Sequence, residues 1–218
     1  MKLYGYFRSS ASYRVRIGLN LKGLEYEQTA IHLVNHGGEQ LSEAYRQINP
    51  EALVPALTDT VAEEQVVLTQ SFAILEYLDE VYPDRLLLPA DPVARAEVRA
   101  LSLSIACEIH PLNNLRVLKY LTGTLGVSDT ERNNWYRHWC ESGLAVIEKK
   151  LASQKIRGKY CFGDTPGFAD CFLIPQIANA QRFKCDLSDM PVLMQINESC
   201  QTHPAFIKAM PSNQPDTE

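Results

Sequence analysis

Apolar residues follow two different spacings in this chain, and the change falls near residue 83. Before that point, short strand-like runs alternate with a helical pattern. In order, they predict a strand at 3–7, a helix at 15–21 that ends at Gly23, and a strand at 26–31. A strand, a helix and a strand joined over this length imply parallel pairing through a right-handed crossover.

The segment up to residue 83 adds a helix, a hairpin and a further helix. These are an amphipathic piece at 41–48, hairpin strands at 56–57 and 66–68, and a helix from Ser71 to residue 82. The first 83 residues therefore predict the order βαβ, then a helix, then ββα.

Beyond residue 83 the apolar spacing is helical. Residues 83–92 hold three prolines and a run of leucines, the composition of a linker that packs against the protein. The helical segments are predicted at 94–125, 129–151, 168–183 and 190–200. We therefore expect an α/β domain at 1–83, a linker at 84–92 and an all-helical domain at 93–218.

The composition of the chain argues against several classes of binding partner and cofactor. With 26 acidic and 21 basic residues the chain has no general electrostatic reason to bind nucleic acid or an anionic membrane. The first residues are too polar for a signal peptide, and no run of 18 apolar residues occurs, so we expect a cytoplasmic protein. The six cysteines form no C-x-x-C pair, which favours buried free thiols over disulfides or a metal site.

The junction of the first strand and the first helix concentrates unusual chemistry. Residues 8–16 carry three serines and three arginines where the helix begins. Serine hydroxyls and the free amides of a helix N-terminus can converge on one anion. The alternative is that Ser9, Ser10 and Ser12 only cap the helix, since serine is a preferred N-cap residue.

This junction resembles the signature of zeta-class glutathione transferases, Ser-Ser-Cys-x-Trp-Arg-Val-Arg. Residues 9–16 match it with two departures, Ala11 for the cysteine and Tyr13 for the tryptophan. Further matches span almost the whole chain: Asn49-Pro50, Val54-Pro55, Gln70-Ser71, Pro111-Leu112-x-Asn114, Gly163-Asp164, Ala178-Asn179-Ala180-x-Arg182-Phe183 and Gln214-Pro215-Asp216. The resemblance implies a thioredoxin-like glutathione-binding domain followed by a helical bundle, and a homodimer.

The same resemblance implies a glutathione-dependent cis–trans isomerase acting by reversible thiolate addition. The expected reaction converts maleylacetoacetate, a maleyl 1,3-dicarbonyl acid of aromatic amino-acid catabolism, to its fumaryl isomer. Maleylpyruvate is the alternative substrate. Two further alternatives stay open: transfer of glutathione to α-halo acids, and a glutathione-fold binding protein without activity.

For glutathione, the resemblance assigns residues on both domains. Ser9 or Ser10 donates to the sulfur, and Ala11 lies beside them without the family's thiol. Val54, preceding a cis proline, pairs with the cysteinyl backbone. The other expected glutathione contacts are Gln40 at the glycyl end, Gln70 and Ser71 at the γ-glutamyl carboxylate, and His110, Asn114 and Arg116 in the helical domain. For Gln40 a solvated helix residue, and for His110 a structural histidine, remain the alternatives.

Arginine guanidiniums bind carboxylate and enolate oxygens in a fork. The expected substrate-binding residues are Arg8, Arg116 and Arg182, of which Arg182 is also expected to be catalytic. Surface ion pairing is the alternative for each.

A helix start is expected at Phe168, with Asp170 at its third position reaching back to a backbone N–H. Gly167 stands where serine or threonine is usual, so only half of a capping box is predicted.

Overall fold

The computed structural model describes residues 1–154 and 158–218, which form two compact units. The first unit comprises residues 1–87 together with 202–218, and the second comprises residues 88–201. The first unit contains β1 (Lys2–Gly5), α1 (Ser10–Lys22), β2 (Glu27–Ala30), α2 (Glu43–Arg46), β3 (Ala56–Val61), β4 (Glu64–Thr69), α3 (Ser71–Val81) and, after the second unit, α9 (Pro204–Ala209).

The strands of the first unit form a mixed sheet in the order β2-β1-β3-β4. β1 pairs with β2 in parallel and with β3 in the antiparallel direction, while β3 and β4 form the hairpin. The parallel βαβ unit and the hairpin predicted from apolar spacing are both confirmed. The sheet therefore has the strand order that a thioredoxin-like domain requires.

Helices α1 and α3 pack closely on one another. A Cβ added at Gly18 of α1 would lie 2.2 Å from Leu75 Cδ2 of α3, so only glycine fits there without a shift. Gly23 ends α1 in the left-handed conformation, at φ 70°, as the sequence predicts. The core beneath these helices is fully buried, and it includes Leu3, Val15, Leu57, Ile74 and Leu78.

A buried ion pair attaches the segment after α3 to this unit. Lys22 Nζ lies 3.0 Å from Asp79 Oδ1, with the two side chains 1% and 6% exposed. The same ammonium donates to the carbonyl of Arg85 at 2.7 Å, and the amide of Leu87 donates to Asp79 Oδ1 at 2.6 Å. The proline-rich segment is thus hydrogen-bonded to the first unit.

The C-terminal residues belong to the first unit, which differs from the predicted helical domain at 93–218. Residues 202–218, called here the returning segment, pack against α1 through α9. Arg16 Nε donates to the carbonyl of Ala209 at 3.0 Å, and Asn20 Nδ2 donates to that of Ala205 at 2.9 Å. No helix is predicted after residue 200, so apolar spacing indicates neither α9 nor the unit against which it packs.

The second unit is helical in its described residues: α4 (Pro92–Leu103), α5 (Leu115–Gly123), α6 (Asp129–Ala152), α7 (Phe168–Arg182) and α8 (Pro191–Gln201). Helix α7 is its core, with residues 168–177 all buried. None of the helices in the described ranges is long and apolar enough to cross a membrane.

The single helical segment predicted at 94–125 is wrong. Residues 104–109 form a π-helical turn, 111–113 form a 3-10 turn, and α5 then starts afresh. Pro111 has no N–H to continue an α-helix, and the amide of His110 instead reaches the carbonyl of Ile105 at 2.9 Å. Asn114 Oδ1 accepts from the amide of Arg116 at 3.0 Å and caps the new helix.

The expectation of buried thiols holds for four cysteines and is wrong for two. All six are free, but Cys107 is exposed and Cys185 is half-buried. Cys107 lies in the π-helical turn.

Asp170 makes the expected half of a capping box and one contact more. Its Oδ2 accepts from the amide of Gly167 at 2.8 Å, and its Oδ1 accepts from the amide of Cys161 at 2.9 Å. Burial raises the pKa of the Asp170 carboxyl, and the hydrogen bonds from these two amides oppose that rise. The carboxylate therefore joins the start of α7 to the chain before it.

Asp170→Ala is expected to lower the free energy of unfolding by about 2–4 kcal/mol, because the buried amide of Cys161 and the part-buried amide of Gly167 lose their acceptor. Thermal melting measures the loss, and calorimetric titration with glutathione should give an unchanged affinity for the folded fraction. Unchanged melting together with a selective loss of glutathione affinity would contradict the structural role.

Candidate functional site

Three chain turns meet at one edge of the sheet. Tyr4 near the end of β1 is paired with Ala56 at the start of β3, and Ala56 is paired with Thr69 at the end of β4. The β1–α1 turn, the residues before β3 and the start of α3 therefore emerge side by side. This edge brings together the predicted residues Ser9, Val54, Gln70 and Ser71.

Ser9 is the N-cap of α1. Its Oγ accepts from the amide of Ser12 at 3.2 Å, and its carbonyl accepts from the amide of Tyr13 at 2.9 Å. A hydroxyl has one hydrogen to donate besides its acceptor lone pairs. Capping and donation to a ligand are therefore compatible in this one side chain.

The next two amides are available to an anion. Ser10 and Ala11 occupy the first two positions of α1, and their N–H groups have no hydrogen-bond acceptor in the described part of the chain. Both residues are buried. Free amides at a helix N-terminus, together with the positive end of the helix dipole, favour negative charge at this point.

The start of α3 forms a second polar site. Gln70 is its N-cap, with φ 66°, a conformation that non-glycine residues adopt at a cost and that is concentrated at binding sites. Gln70 Nε2 donates to Glu51 Oε2 at 2.8 Å. The buried Ser71 Oγ accepts from Arg14 Nη1 at 3.2 Å, which leaves the serine hydrogen to donate elsewhere.

The peptide bond between Val54 and Pro55 is cis, as expected. The preceding carbonyl, that of Leu53, accepts from Tyr45 Oη at 2.7 Å and from Asn49 Nδ2 at 2.8 Å. The N–H and C=O of Val54 itself have no partner among residues 1–154 and 158–218. An extended peptide could therefore pair with Val54 in the manner of an added strand.

Gln40 lies in a 3-10 turn that follows the left-handed Gly37 and Gly38. Its Oε1 is buried, with no hydrogen-bond partner within the described residues. A buried acceptor without a donor is costly in a folded protein. A ligand that donates to this oxygen would remove the cost, which favours a ligand contact over a solvated helix residue.

The predicted residues of the helical unit are placed within that unit. Asn114 and Arg116 stand at the start of α5, and His110 precedes the 3-10 turn before it. Arg182 is exposed at the end of α7, where Nη2 donates to Asn179 Oδ1 at 3.3 Å and the guanidinium lies over the ring of Phe183.

The three substrate-binding candidates carry no ion pair to an acidic side chain in the described residues: Arg8, Arg116 and Arg182. All three are exposed. The alternative of a surface ion pair therefore finds no support for any of them.

The sequence reasoning did not assign roles to two buried arginines and one aspartate. Arg14 supports Ser71, while Arg16 Nη2 donates to the carbonyl of Phe7 at 3.0 Å. Asp216 Oδ2 accepts from the amide of Phe7 at 2.9 Å. The signal for the arginines was their place on the apolar face of α1, because a charge on a core-facing position must find partners.

A mixed sheet with this strand order, with a free helix N-terminus beside a cis proline, defines a thioredoxin-like domain. Residues 8–81 match the family model of the glutathione S-transferase N-terminal domain. The probable maleylacetoacetate isomerase of Vibrio cholerae is 50% identical over 214 residues, 98% of this chain and 97% of that protein.

Two solved structures extend the comparison over the whole fold. A holo maleyl pyruvate isomerase, described as a bacterial zeta-class glutathione transferase, has a TM-score of 0.94 at 46% identity and covers 100% of both chains. A maleylacetoacetate isomerase from Anaeromyxobacter dehalogenans with GSH bound in its active site has a TM-score of 0.89 at 39% identity, covering 100% of this chain and 97% of that one. The chain belongs to the zeta class of the glutathione transferase family.

Proposed function

We propose that this protein is a glutathione-dependent cis–trans isomerase that converts maleylacetoacetate to fumarylacetoacetate. The observation that carries the proposal is the β1–α1 turn, where the hydroxyl of Ser9 and the unpaired amides of Ser10 and Ala11 converge. Membership of the zeta class and the high identity to a probable maleylacetoacetate isomerase support this choice of substrate.

Bound glutathione supplies a thiolate, which can add to the activated double bond, allow rotation and then leave. Ser9 donates a hydrogen bond that favours the thiolate over the thiol. A free thiol with a pKa of about 8.5 is only about 3% ionised at pH 7. A hydrogen bond to a charged group contributes about 1.5–3 kcal/mol, enough to lower that pKa by more than one unit.

The residues around Ser9 would hold the rest of glutathione. Ser71, with Arg14 behind it and Gln70 beside it, presents donors to the γ-glutamyl carboxylate. Val54 pairs through its free backbone groups with the cysteinyl residue, and the buried Oε1 of Gln40 accepts from the N–H of the glycyl residue. The residues present fit the tripeptide, because glutathione carries a hydrogen-bonding group to match each of these unpaired protein groups.

Arg8, Arg116 and Arg182 stay the predicted substrate-binding residues. Their lack of acidic partners among the described residues leaves the guanidiniums available for a forked contact. His110, Asn114 and Arg116 stay predicted glutathione contacts, on the family resemblance. Isomerisation proceeds without a cysteine at position 11, because Ser9 rather than a protein thiol activates the sulfur.

Maleylpyruvate is the second candidate substrate. The specific observation in its favour is the match to the holo maleyl pyruvate isomerase, at 46% identity over the whole chain. The two substrates carry the same maleyl 1,3-dicarbonyl group, so the same residues serve either reaction.

A spectrophotometric assay of both maleyl acids, with and without glutathione, tests the proposal. We expect turnover of both acids only with glutathione, and a higher kcat/KM for maleylacetoacetate. Equal rates without glutathione would overturn the proposal. Binding of glutathione without turnover of either acid would indicate a binding protein of this fold.

We also infer a cytoplasmic homodimer. Six free cysteines and a thiol cofactor suit a reducing compartment. Two-fold dimers are the commonest soluble oligomers, and the zeta-class resemblance points the same way. Light scattering coupled to gel filtration measures the mass.

A further inference from the structure

The backbone just before Ser9 is held from both sides. For this argument, residues 6–9 are called the serine turn. Arg16, fully buried in α1, donates to the carbonyls of Tyr6 at 3.4 Å and Phe7 at 3.0 Å. The amide of Ser9 donates to the carbonyl of Tyr6 at 3.0 Å. The carbonyls of the turn are thus fixed by its own helix.

The amide of Phe7 finds its acceptor in a distant part of the chain. It donates to Asp216 Oδ2 at 2.9 Å across a separation of 209 residues. The other oxygen of the same carboxylate, Oδ1, accepts from Gln28 Nε2 on β2 at 3.3 Å. Asp216 therefore joins the serine turn to the neighbouring strand.

The returning segment that carries Asp216 is itself anchored. The buried side chain of Gln214 donates to the carbonyls of Lys208 at 2.9 Å and Met210 at 2.7 Å. Glu218 Oε1 lies 3.0 Å from His32 Nε2. With anchors on both sides, Asp216 has a fixed position from which to hold Phe7.

We propose that Asp216 is a positioning residue, which holds the serine turn through the amide of Phe7 so that Ser9 meets the glutathione sulfur. This inference rests on the proposed function and adds a residue to it. Ser9 is two residues from the held amide, and small displacements of a donor have large effects on rate. Asp216 acts through the turn and is not a catalytic residue.

The negative charge of Asp216 cannot be what favours thiolate binding at the serine turn. A carboxylate hydrogen-bonded to a turn that binds an anion opposes that anion through Coulomb repulsion. Burial lowers the pKa of the Arg16 guanidinium to about 10, and the charge of Asp216 is one of those that partly oppose this shift. The positive charge of Arg16 therefore compensates for the negative charge of Asp216. Positioning and charge therefore predict opposite changes when Asp216 is replaced, and an experiment can separate them.

The experiment compares Asp216→Ala with Asp216→Asn. Asparagine keeps an oxygen that can accept from Phe7, whereas alanine removes it. The matched control is Asn213→Ala, which removes a different hydrogen bond of the returning segment, from Nδ2 to the carbonyl of Ile207 at 2.7 Å. The readouts are thermal melting, kcat, and the pKa of the glutathione thiol in the binary complex, followed by its ultraviolet thiolate absorbance.

We expect Asp216→Ala to raise the pKa of the bound thiol and to lower kcat about tenfold. Asp216→Asn should stay close to the wild type in both readouts, and Asn213→Ala should change neither. If the two Asp216 variants behave alike, the positioning role is overturned. If either variant lowers the pKa of the bound thiol, Asp216 acts as a charge and the proposal is overturned as well.

Two further outcomes are distinguishable. If Asp216→Ala does not fold, the isosteric Asn variant decides alone: an unchanged thiol pKa supports positioning and a lowered one overturns it. A wild-type protein that neither binds glutathione nor isomerises maleyl acids contradicts the proposed function itself, and this inference with it. Wild-type activity combined with an unchanged Asp216→Ala variant contradicts the positioning role alone.

Discussion

Replacing Ser9 with alanine is expected to lower kcat for isomerisation about 100-fold, while the protein still binds glutathione. The reason is the loss of the hydroxyl donor to the thiolate, a hydrogen bond worth about 1.5–3 kcal/mol. We expect glutathione to remain bound, because the contacts proposed for Val54, Ser71 and Gln40 do not involve Ser9. Steady-state kinetics measure the loss, and retention on immobilised glutathione measures binding.

Ser9→Ala also removes the N-cap of α1, because the Ser9 hydroxyl accepts from the amide of Ser12. A control variant must therefore lose an N-cap of the same kind elsewhere. Loss of an N-cap serine costs about 1 kcal/mol of stability. Ser128 caps α6 in the same way, with Oγ accepting from the amide of Glu131 at 3.3 Å, in the other unit. Ser9→Ala and Ser128→Ala should therefore lower the melting temperature by similar amounts, and only the first should lose turnover.

Ser10→Ala separates the two candidate donors. If Ser9 is the donor, the Ser10 variant keeps most of its turnover. A large loss in Ser10→Ala together with an unaffected Ser9→Ala would assign the role to Ser10. Full turnover in both variants would contradict activation by a hydroxyl.

The second large effect concerns stability. Lys22→Met or Asp79→Leu alone is expected to lower the free energy of unfolding by about 3–5 kcal/mol, because each removes one charge of a buried ion pair and keeps the other charge buried. The double variant should lose less than the sum of the two single losses, since it removes both charges. Chemical denaturation of the three variants measures the coupling.

Lys2 provides a matched control. It forms an ion pair with Glu27 at 3.2 Å, but the two side chains are 36% and 69% exposed. Lys2→Met should cost less than about 1 kcal/mol, because an exposed pair is screened by water. Equal losses for Lys22→Met and Lys2→Met would contradict the role of burial.

Local patterns were sufficient for most elements of the first unit. Gly23 marks the end of α1 because its left-handed backbone suits glycine, and Ser71 marks the start of α3. The parallel βαβ unit followed from the length of the connection alone. These features depend on residues close together in sequence, so apolar spacing and turn chemistry report them.

The break in the helical segment at 94–125 could not be predicted from apolar spacing and turn residues. Apolar residues keep a helical spacing through the π-helical turn, and a proline such as Pro111 is also tolerated in the first turn of a helix. Only the hydrogen bonds of the folded chain distinguish one long helix from the four shorter pieces.

For the site, the sequence predicted the residues expected to contact glutathione, but it did not predict the residues that hold them in place. Ser9, Gln70 and Ser71 lie at helix starts, which can be predicted from residues close together in sequence. Asp216 contacts Phe7 across 209 residues, and no local pattern reports such a pairing. The supports of the site therefore became visible only in the structure.

A crystal structure of the protein with glutathione would show which groups contact the sulfur. We expect the sulfur within hydrogen-bonding distance of Ser9 Oγ, facing the amides of Ser10 and Ala11. A sulfur remote from the hydroxyls of both Ser9 and Ser10 would contradict it.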